Sequence, residues 1–551
     1  MTQNDQALND AHDDVWVRCQ KQLSTMDQLR QQPSKMRLWD GDFEQSFWLQ
    51  ERIESDLPFV MNEASTGTVT LRADSHAAQW VLDRHHRLQN VFLTADVRGM
   101  RWSGQLDSYE LEKTDKGERL LTLNFEHDLG QIMNLPCWPN PFAPATGPQF
   151  PHYFTLAGPS RYMLKLLLFV NLFRLSGNLW TLPDNPLDPR TWAQGLVPSE
   201  WPVVVQPDSL VLDDSQWCIV DTRMDTWFAA AEEILADAGL MVTCRRWLDG
   251  DPPPWPGAIM RTGQLVVDII DKSGVFEQTS HGGTIFGGLA RTITSHADNL
   301  VDEIVNTVAD PIEPAEYSVS QWLGTSPTQP WVIYRDGYPS GVQAAKYTRV
   351  QEGPVQITAG GHSAPGVNEA QSLAIRLAGN VMGSIFRLDT LGDIIDDAVA
   401  PMYEDVWLAF ATHKSLLRIA RQGHFHKQEA FADDVDNVFT LSGVIAFRRA
   451  FWRTRGHDNF ELKVADGAPY LIGAPGQGHF ELGDRIGATI KGLPPGRVLV
   501  EQVHQLVLHE SRDGVEWDIK CGDPRATESP WDRGLRHIRR LTRSMRRHNL
   551  A

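Results

Sequence analysis

The sequence predicts an α+β, multidomain protein in which two antiparallel β-barrel-like domains flank mixed α/β domains. Three observations carry that reading. A meander of alternating apolar residues runs from Val91 to Phe125, and a second β-rich stretch covers Phe460 to Asp523. Between them, apolar residues recur at helical spacing and alternate with strand-like runs, the pattern of helices layered on sheets. At 551 residues the chain exceeds what one core serves and implies roughly three or four domains.

Residues 1–35 read as an N-terminal helical arm, polar over 11–30 and ended by Pro33. A β-rich domain is expected over 36–145. Its signals are Arg37 to Asp40, Phe47 to Leu49 and Thr68 to Leu71, then a meander that turns at Arg98-Gly99 and Lys116-Gly117. The segment Asn134 to Phe142 carries Pro136, Pro139 and Pro141, so it turns a corner instead of continuing a helix or a central strand.

A mixed α/β domain is expected over 146–330. A helix covers 160–175, and Met224, Trp227, Phe228, Ala231, Ile234, Leu235 and Ala238 recur at helical spacing before Gly239, a natural helix stop. Strands are expected at Met241 to Trp247 and Leu265 to Ile270, and a long helix over 289–307. A second mixed domain, 331–459, has strands at Pro330 to Tyr334 and Ala345 to Val350 and helices over 367–386 and 401–420. The β-barrel-like domain 460–530 closes with a hairpin from Gln505 to Lys520 turning at Asp513-Gly514. Residues 531–551 read as a basic amphipathic C-terminal helix.

Composition excludes several classes. A chain with 42% hydrophobic residues, 22% charged residues and 19 tryptophans folds and is soluble. Its formal charge of −19 argues against sequence-specific nucleic-acid binding, which requires cations along the phosphate backbone. Cys19, Cys137, Cys218, Cys244 and Cys521 are widely spaced and odd in number, so we read them as reduced thiols made in a cytosol. The first residues lack the basic-then-apolar order of a signal peptide. The run Met163 to Leu175 contains Lys165, Asn171 and Arg174 and falls short of a bilayer span, so it reads as a buried core helix.

No catalytic constellation emerges, and the chain is read as no enzyme, with no metal or cofactor. Gly282, Gly283, Gly287 and Gly288 sit where a phosphate loop would, but Leu289 and Ala290 follow in place of Lys and Ser or Thr. His424 and His426 with His509 and Asp513 have zinc-ligand residue types in the wrong order for the peptidoglycan-cutting zinc peptidases. Paired carboxylates such as Asp396-Asp397 and Asp433-Asp434 read as solvated acidic surface.

The C-terminal segment is more specific. Trp531, Leu535, Ile538, Leu541 and Met545 are spaced by 4, 3, 3 and 4 residues, and Arg536, Arg539, Arg540 and Arg543 lie on the remaining faces. Residues 531–551 carry a net charge of about +6, leaving about −25 on the preceding chain. Trp531 and these arginines are the expected interaction residues, packing onto the chain's own body or a neighbouring subunit.

Taken in order, several segments resemble the siphophage minor tail proteins that form the baseplate hub, particularly in phages of actinobacteria. They are Leu38-Trp39-Asp40; Gly67 to Leu71 before Trp80; Arg101-Trp102-Ser103-Gly104; Trp138-Pro139-Asn140-Pro141; Gly158-Pro159 leading to Asn171 and Arg174-Leu175; and Phe480 to Ile486, the late hairpin and Gly522-Asp523-Pro524-Arg525. The resemblance implies a structural virion protein at the tail tip, synthesised in the host cytoplasm. It implies a tail-hub-like fold with two domains similar to tail-tube subunits, assembling as a homotrimer around the DNA-ejection channel. Implied partners are the distal tail protein, the tape measure protein and other minor tail proteins, with possible host cell-wall contact. Two other readings stand beside it: a carbohydrate-binding tail module, on the count of tryptophans, and a tail-associated peptidoglycan hydrolase.

Overall fold

A polar helix, α1 (Gln3–Arg30), leads into strands β1 (Lys35–Trp39), β2 (Ser46–Trp48), β3 (Arg52–Val60), β4 (Thr66–Arg72), β5 (Phe92–Val97), β6 (Met100–Lys113) and β7 (Arg119–His127). The computed structural model describes residues 3–83, 90–273, 332–360, 410–432 and 450–522, apart from positions 116, 145, 148, 178–181, 184, 338–340, 452, 466, 495–497 and 513. Short helices α2 (His76–Leu82) and α3 (Gly130–Met133) follow β4 and β7. The meander forms as its sequence predicts. Arg98 and Gly99 both take positive φ, 42° and 79°, so they make the two-residue turn whose twist matches the flanking β5 and β6.

β3 is an element that the sequence reading did not foresee, and Pro58 within it is the reason. A strand residue points its N–H and C=O to the same side, and the Pro58 carbonyl accepts from Trp102 Nε1 (3.0 Å) and Ser65 Oγ (2.6 Å). Registered pairing of β3 with β4 ends at Asp56–Thr68, so the missing donor faces side chains and breaks no ladder. Trp102 is fully buried, and a Cβ on Gly67 would meet its ring at 2.7 Å. Glycine at 67 is therefore required by close approach.

The middle of the chain folds as β8 (Phe154–Pro159), α4 (Ser160–Ser176), α5 (Pro189–Gln194), β9 (Val203–Val205), β10 (Trp217–Thr222), α6 (Trp227–Ala238), β11 (Leu240–Arg246) and β12 (Leu265–Asp271). β8 and β10 pair antiparallel, and β11, β12 and β9 make a three-stranded sheet. α4 is the buried core helix that its sequence predicts: Leu164, Leu167 and Leu168 are fully buried against Trp227 and Leu235 of α6. Its cation Lys165 is buried too, satisfied by Asp208 at 3.1 Å and by Asp268. Thr226 caps α6 by accepting from Ala229 N (3.2 Å), and Gly239 ends it in the left-handed conformation.

The last elements are β13 (Ile333–Arg335), β14 (Val342–Val350), β15 (Gln356–Gly360), β16 (Phe410–Lys414), β17 (Glu429–Ala432), β18 (His457–Ala465), β19 (Arg485–Thr489), β20 (Leu499–Ser511) and β21 (Gly514–Cys521). A helix was expected over 401–420. In its described part, 410–414 is strand β16 paired with β15, and a helix starts only at Leu416, capped by Ser415. The expected helices at 289–307 and 367–386 lie outside the described residues.

The two β-rich regions, read from the sequence as separate barrel-like domains, join in one 13-stranded sheet of order β14-β18-β21-β20-β3-β4-β7-β6-β5-β1-β2, with β13 and β19 attached beside β20. The join is the antiparallel pairing of β20 with β3, from Gln505–Val60 to Ser511–Glu54. One apolar core serves both sides: Leu57, Trp102 and Phe125 share it with Phe460, Leu506 and Trp517. Strand pairing also crosses the boundary expected at 459/460, because β14 pairs with β18 around the inserted sheet β15–β17.

Candidate assembly interfaces

The proline corner and the second half of α4, far apart in sequence, form one joint. Leu135 O accepts from Trp227 N (2.7 Å), and Cys137 N donates to Asp225 O (2.8 Å). Trp138 N donates to Asn171 Oδ1 (3.1 Å), whose amide nitrogen donates to Leu167 O (2.9 Å). Arg174 donates to Pro136 O (3.3 Å) and lies 4.5 Å from the Trp138 ring centroid. Burial pushes the Cys137 thiol up to about 12, so it is a packing residue and no nucleophile.

Ion pairs and backbone contacts attach the middle unit to the sheet on both sides. Arg246 at the end of β11 makes a bidentate pair with Asp128 (2.7 and 2.6 Å), donates to Gly263 O (2.7 Å) and lies 4.3 Å from the Phe92 ring centroid. Arg101 on β6 bonds Asp96 (2.6 Å), Asp251 (3.2 Å) and Arg246 O (2.8 Å). Burial alone would lower the Arg101 pKa; the Asp96 and Asp251 carboxylates outweigh it and hold the guanidinium above its ordinary value. Asn62, at the β3–β4 turn, grips the edge of β11 by donating to Leu240 O and accepting from Val242 N, each at 2.8 Å.

Lys272 makes the corresponding joint with the C-terminal strands. Its Nζ donates to Glu481 (2.9 Å) and Asp484 (2.8 Å), and its carbonyl accepts from Arg485 (3.0 Å) and Gln502 (3.2 Å). Burial opposes the charge, but the two carboxylates leave the Lys272 pKa raised. At the N-terminal entry, Ser34 N and Oγ donate to Glu510 (2.5 and 2.8 Å), which also accepts from Arg52 (2.8 Å).

From β14 to β3 one face of the sheet is this core and the other is open and polar; at β1 and β5 the second face is covered, with Trp39 and Phe92 against Leu248. His509 on β20 lies between two carboxylates, with Nδ1 2.5 Å from Asp56 on β3 and Nε2 3.2 Å from Asp518 on β21. Of the His509 and Asp513 spacing noted in the sequence, His509 is held between Asp56 and Asp518, and Asp513 lies outside the described residues. Around it the same face carries Glu54, Glu110, Glu126 and Glu516, with Lys346 and Lys463 paired to Glu461 and Glu516 at 3.1 and 3.2 Å. Among the described residues no cluster of metal-binding side chains occurs and no helix is long and apolar enough to cross a membrane.

Trp531, Arg536, Arg539, Arg540 and Arg543 lie outside the described residues, as do the glycines at 282–288. The joint residues Asp128, Arg246, Asp251, Lys272, Glu481 and Asp484 were not singled out from the sequence. Their pairings span 118, 150, 209 and 212 positions, a separation at which spacing carries no signal.

The described residues thus assemble buried joints between units and an open polar face. The comparisons give the protein's class. The family model described as Siphovirus ReqiPepy6 Gp37-like protein matches residues 35–523. Minor tail protein Gp28 of Mycobacterium phage D29 is 31% identical over 582 aligned positions, covering 97% of each chain. Minor tail protein Gp28 of Mycobacterium phage L5 is 31% identical over 552, covering 92% of each. A solved tail protein from Neisseria meningitidis MC58 aligns with 90% of this chain and 98% of its own at 12% identity and a TM-score of 0.40. The protein is a siphophage minor tail protein. It belongs to the siphovirus Gp37-like family.

Proposed function

We propose that this minor tail protein is the hub of the tail tip, a structural and non-catalytic piece that joins the tail tube to the host-recognition apparatus and encloses the DNA-ejection channel. The observation that carries the reading is the run of eight antiparallel strands from β14 to β6, apolar and covered on one face, open and rich in carboxylates on the other. Each half of that run, 36–145 and 460–530 with β13 and β14, stands for one tube-like barrel unit. The described middle unit, 146–273, and the inserted sheet β15–β17 pack outside them.

Both ends of the run have unpaired edges among the described residues. β14 pairs only with β18, and β6 bonds toward β5 no further than Leu106, leaving its stretch to Lys113 open on that side. Strands with open edges are covered by neighbours in an assembly, and a closing head-to-tail contact gives a ring. A homotrimer, contacting the distal tail protein, the tape measure protein and other minor tail proteins, satisfies both. In it the carboxylates of the open face line the channel and repel DNA phosphates.

Two measurements test the proposal. Light scattering with negative-stain imaging of the purified chain should give three copies in a ring with a central opening. Phage carrying Glu54→Lys, Asp56→Lys and Asp518→Lys should eject DNA slowly or stall; ejection at the parental rate would remove this face from the channel wall.

A further inference from the structure

α1 is left uncovered by the rest of the described chain. From Val15 to Leu29 it exposes Trp16 (59%), Leu23 (56%) and the Cys19 thiol. Its attachment to the body is at its C-terminal end, where Arg98 donates to Leu29 O (3.0 Å) and Arg30 O (3.3 Å), and Arg30 donates to Pro469 O (3.4 Å). Helices owe most of their stability to packing of one face, and between Val15 and Leu23 that face is exposed and meets none of the other described residues.

The spacing of the exposed residues says what covers it. Trp16, Cys19, Leu23 and the half-buried Met26 follow one another at 3, 4 and 3 positions, the a/d spacing that keeps one seam facing a partner helix. The positions flanking the seam, Val15, Gln20 and Leu29, are uncharged, and Asp27 is paired with Arg30 of its own helix. Arg18 and Lys21 fall on the outward side. Parallel copies of this helix meet in register without like charges across the seam, and the seam ends where Arg30 joins the body.

We propose that α1 pairs along this seam with α1 of a second copy of the chain, parallel and in register, as a contact separate from the sheet. Cys19 reports on it directly, because that register stacks Cys19 on Cys19. Treating the full-length protein with copper phenanthroline, which takes two electrons as two thiols lose their protons, should give a covalent two-chain species. Cys19→Ser should abolish that species. Leu23→Asp, a change at an exposed position, should lower it about tenfold or more, the worth of one buried leucine. Cys19→Ser with Lys21→Cys moves the thiol outward and should not cross-link. Absence of the species in the parent protein, or equal cross-linking from position 21, overturns the proposal. A three-fold ring without Cys19 cross-links would reject this contact and leave the hub reading standing, whereas cross-links without a ring would do the reverse.

Discussion

The joint between the two halves of the sheet and the joint between the sheet and the middle unit are built from different materials. The first is a seven-residue backbone ladder over a shared apolar core, with Phe59 on β3 and Trp517 on β21 placing their ring centroids 6.4 Å apart. The second adds ion pairs, Arg246–Asp128, Arg101–Asp251 and Lys272–Asp484, to a small apolar cluster of Trp39, Phe43 and Phe92 with Leu248. Apolar burial is non-directional and makes the halves one cooperative body. Buried ion pairs contribute little net stability but are costly to half-remove, so they fix where the middle unit sits.

The largest expected effect is at the first joint. Trp517 is fully buried, and Trp517→Ala should cost about 4 kcal/mol and move the melting of both β-rich halves together. A calorimetric trace in which one half melts unshifted would break the comparison. At the second joint, Asp128→Ala leaves the Arg246 guanidinium buried without its carboxylate and should cost about 3 kcal/mol by denaturant titration. Replacing both partners, Asp128→Leu with Arg246→Met, should restore part of that loss. If it does not, the pair adds net stability and the two joints are more alike than they look.

A third prediction sharpens the comparison with pH. Burial pushes the Glu501 carboxyl up to about 8 from an ordinary 4.5, against the pull of Arg455 and Arg485. Between those values the folded chain holds a proton that the unfolded chain releases, so raising pH favours unfolding. Stability should fall progressively between pH 5 and 8, and Glu501→Gln should flatten that slope. A slope unchanged in the variant would assign it to other groups. The smallest effect is local: Thr226→Ala removes the cap of α6 and should cost about 1 kcal/mol within the middle unit, read by hydrogen exchange of that helix.

Local chemistry was legible where one segment contains its own reason. The Arg98-Gly99 turn, the stop of α6 at Gly239 and the buried character of α4 follow from residues within a few positions of one another. The corner at Pro136 to Pro141 was legible as a corner, but its docking on Asn171 and Arg174 was not. β3 was hidden by Pro58, whose tolerance depends on Trp102 and Ser65 arriving from elsewhere. β16 was read as helix because its pairing with β15 lies more than fifty positions away.

The same division holds for function. Order and type of motif along the chain were enough to point to a siphophage minor tail protein, since a family keeps its turns, corners and core residues in sequence. That Asp56, His509 and Asp518 share one open face, that Arg246 meets Asp128, and that two β-rich regions make one sheet were decided by tertiary structure. The physical reason is range: turns, caps and periodicity act over a few residues, whereas strand pairing and buried charge pairing act between residues that only the folded chain brings together.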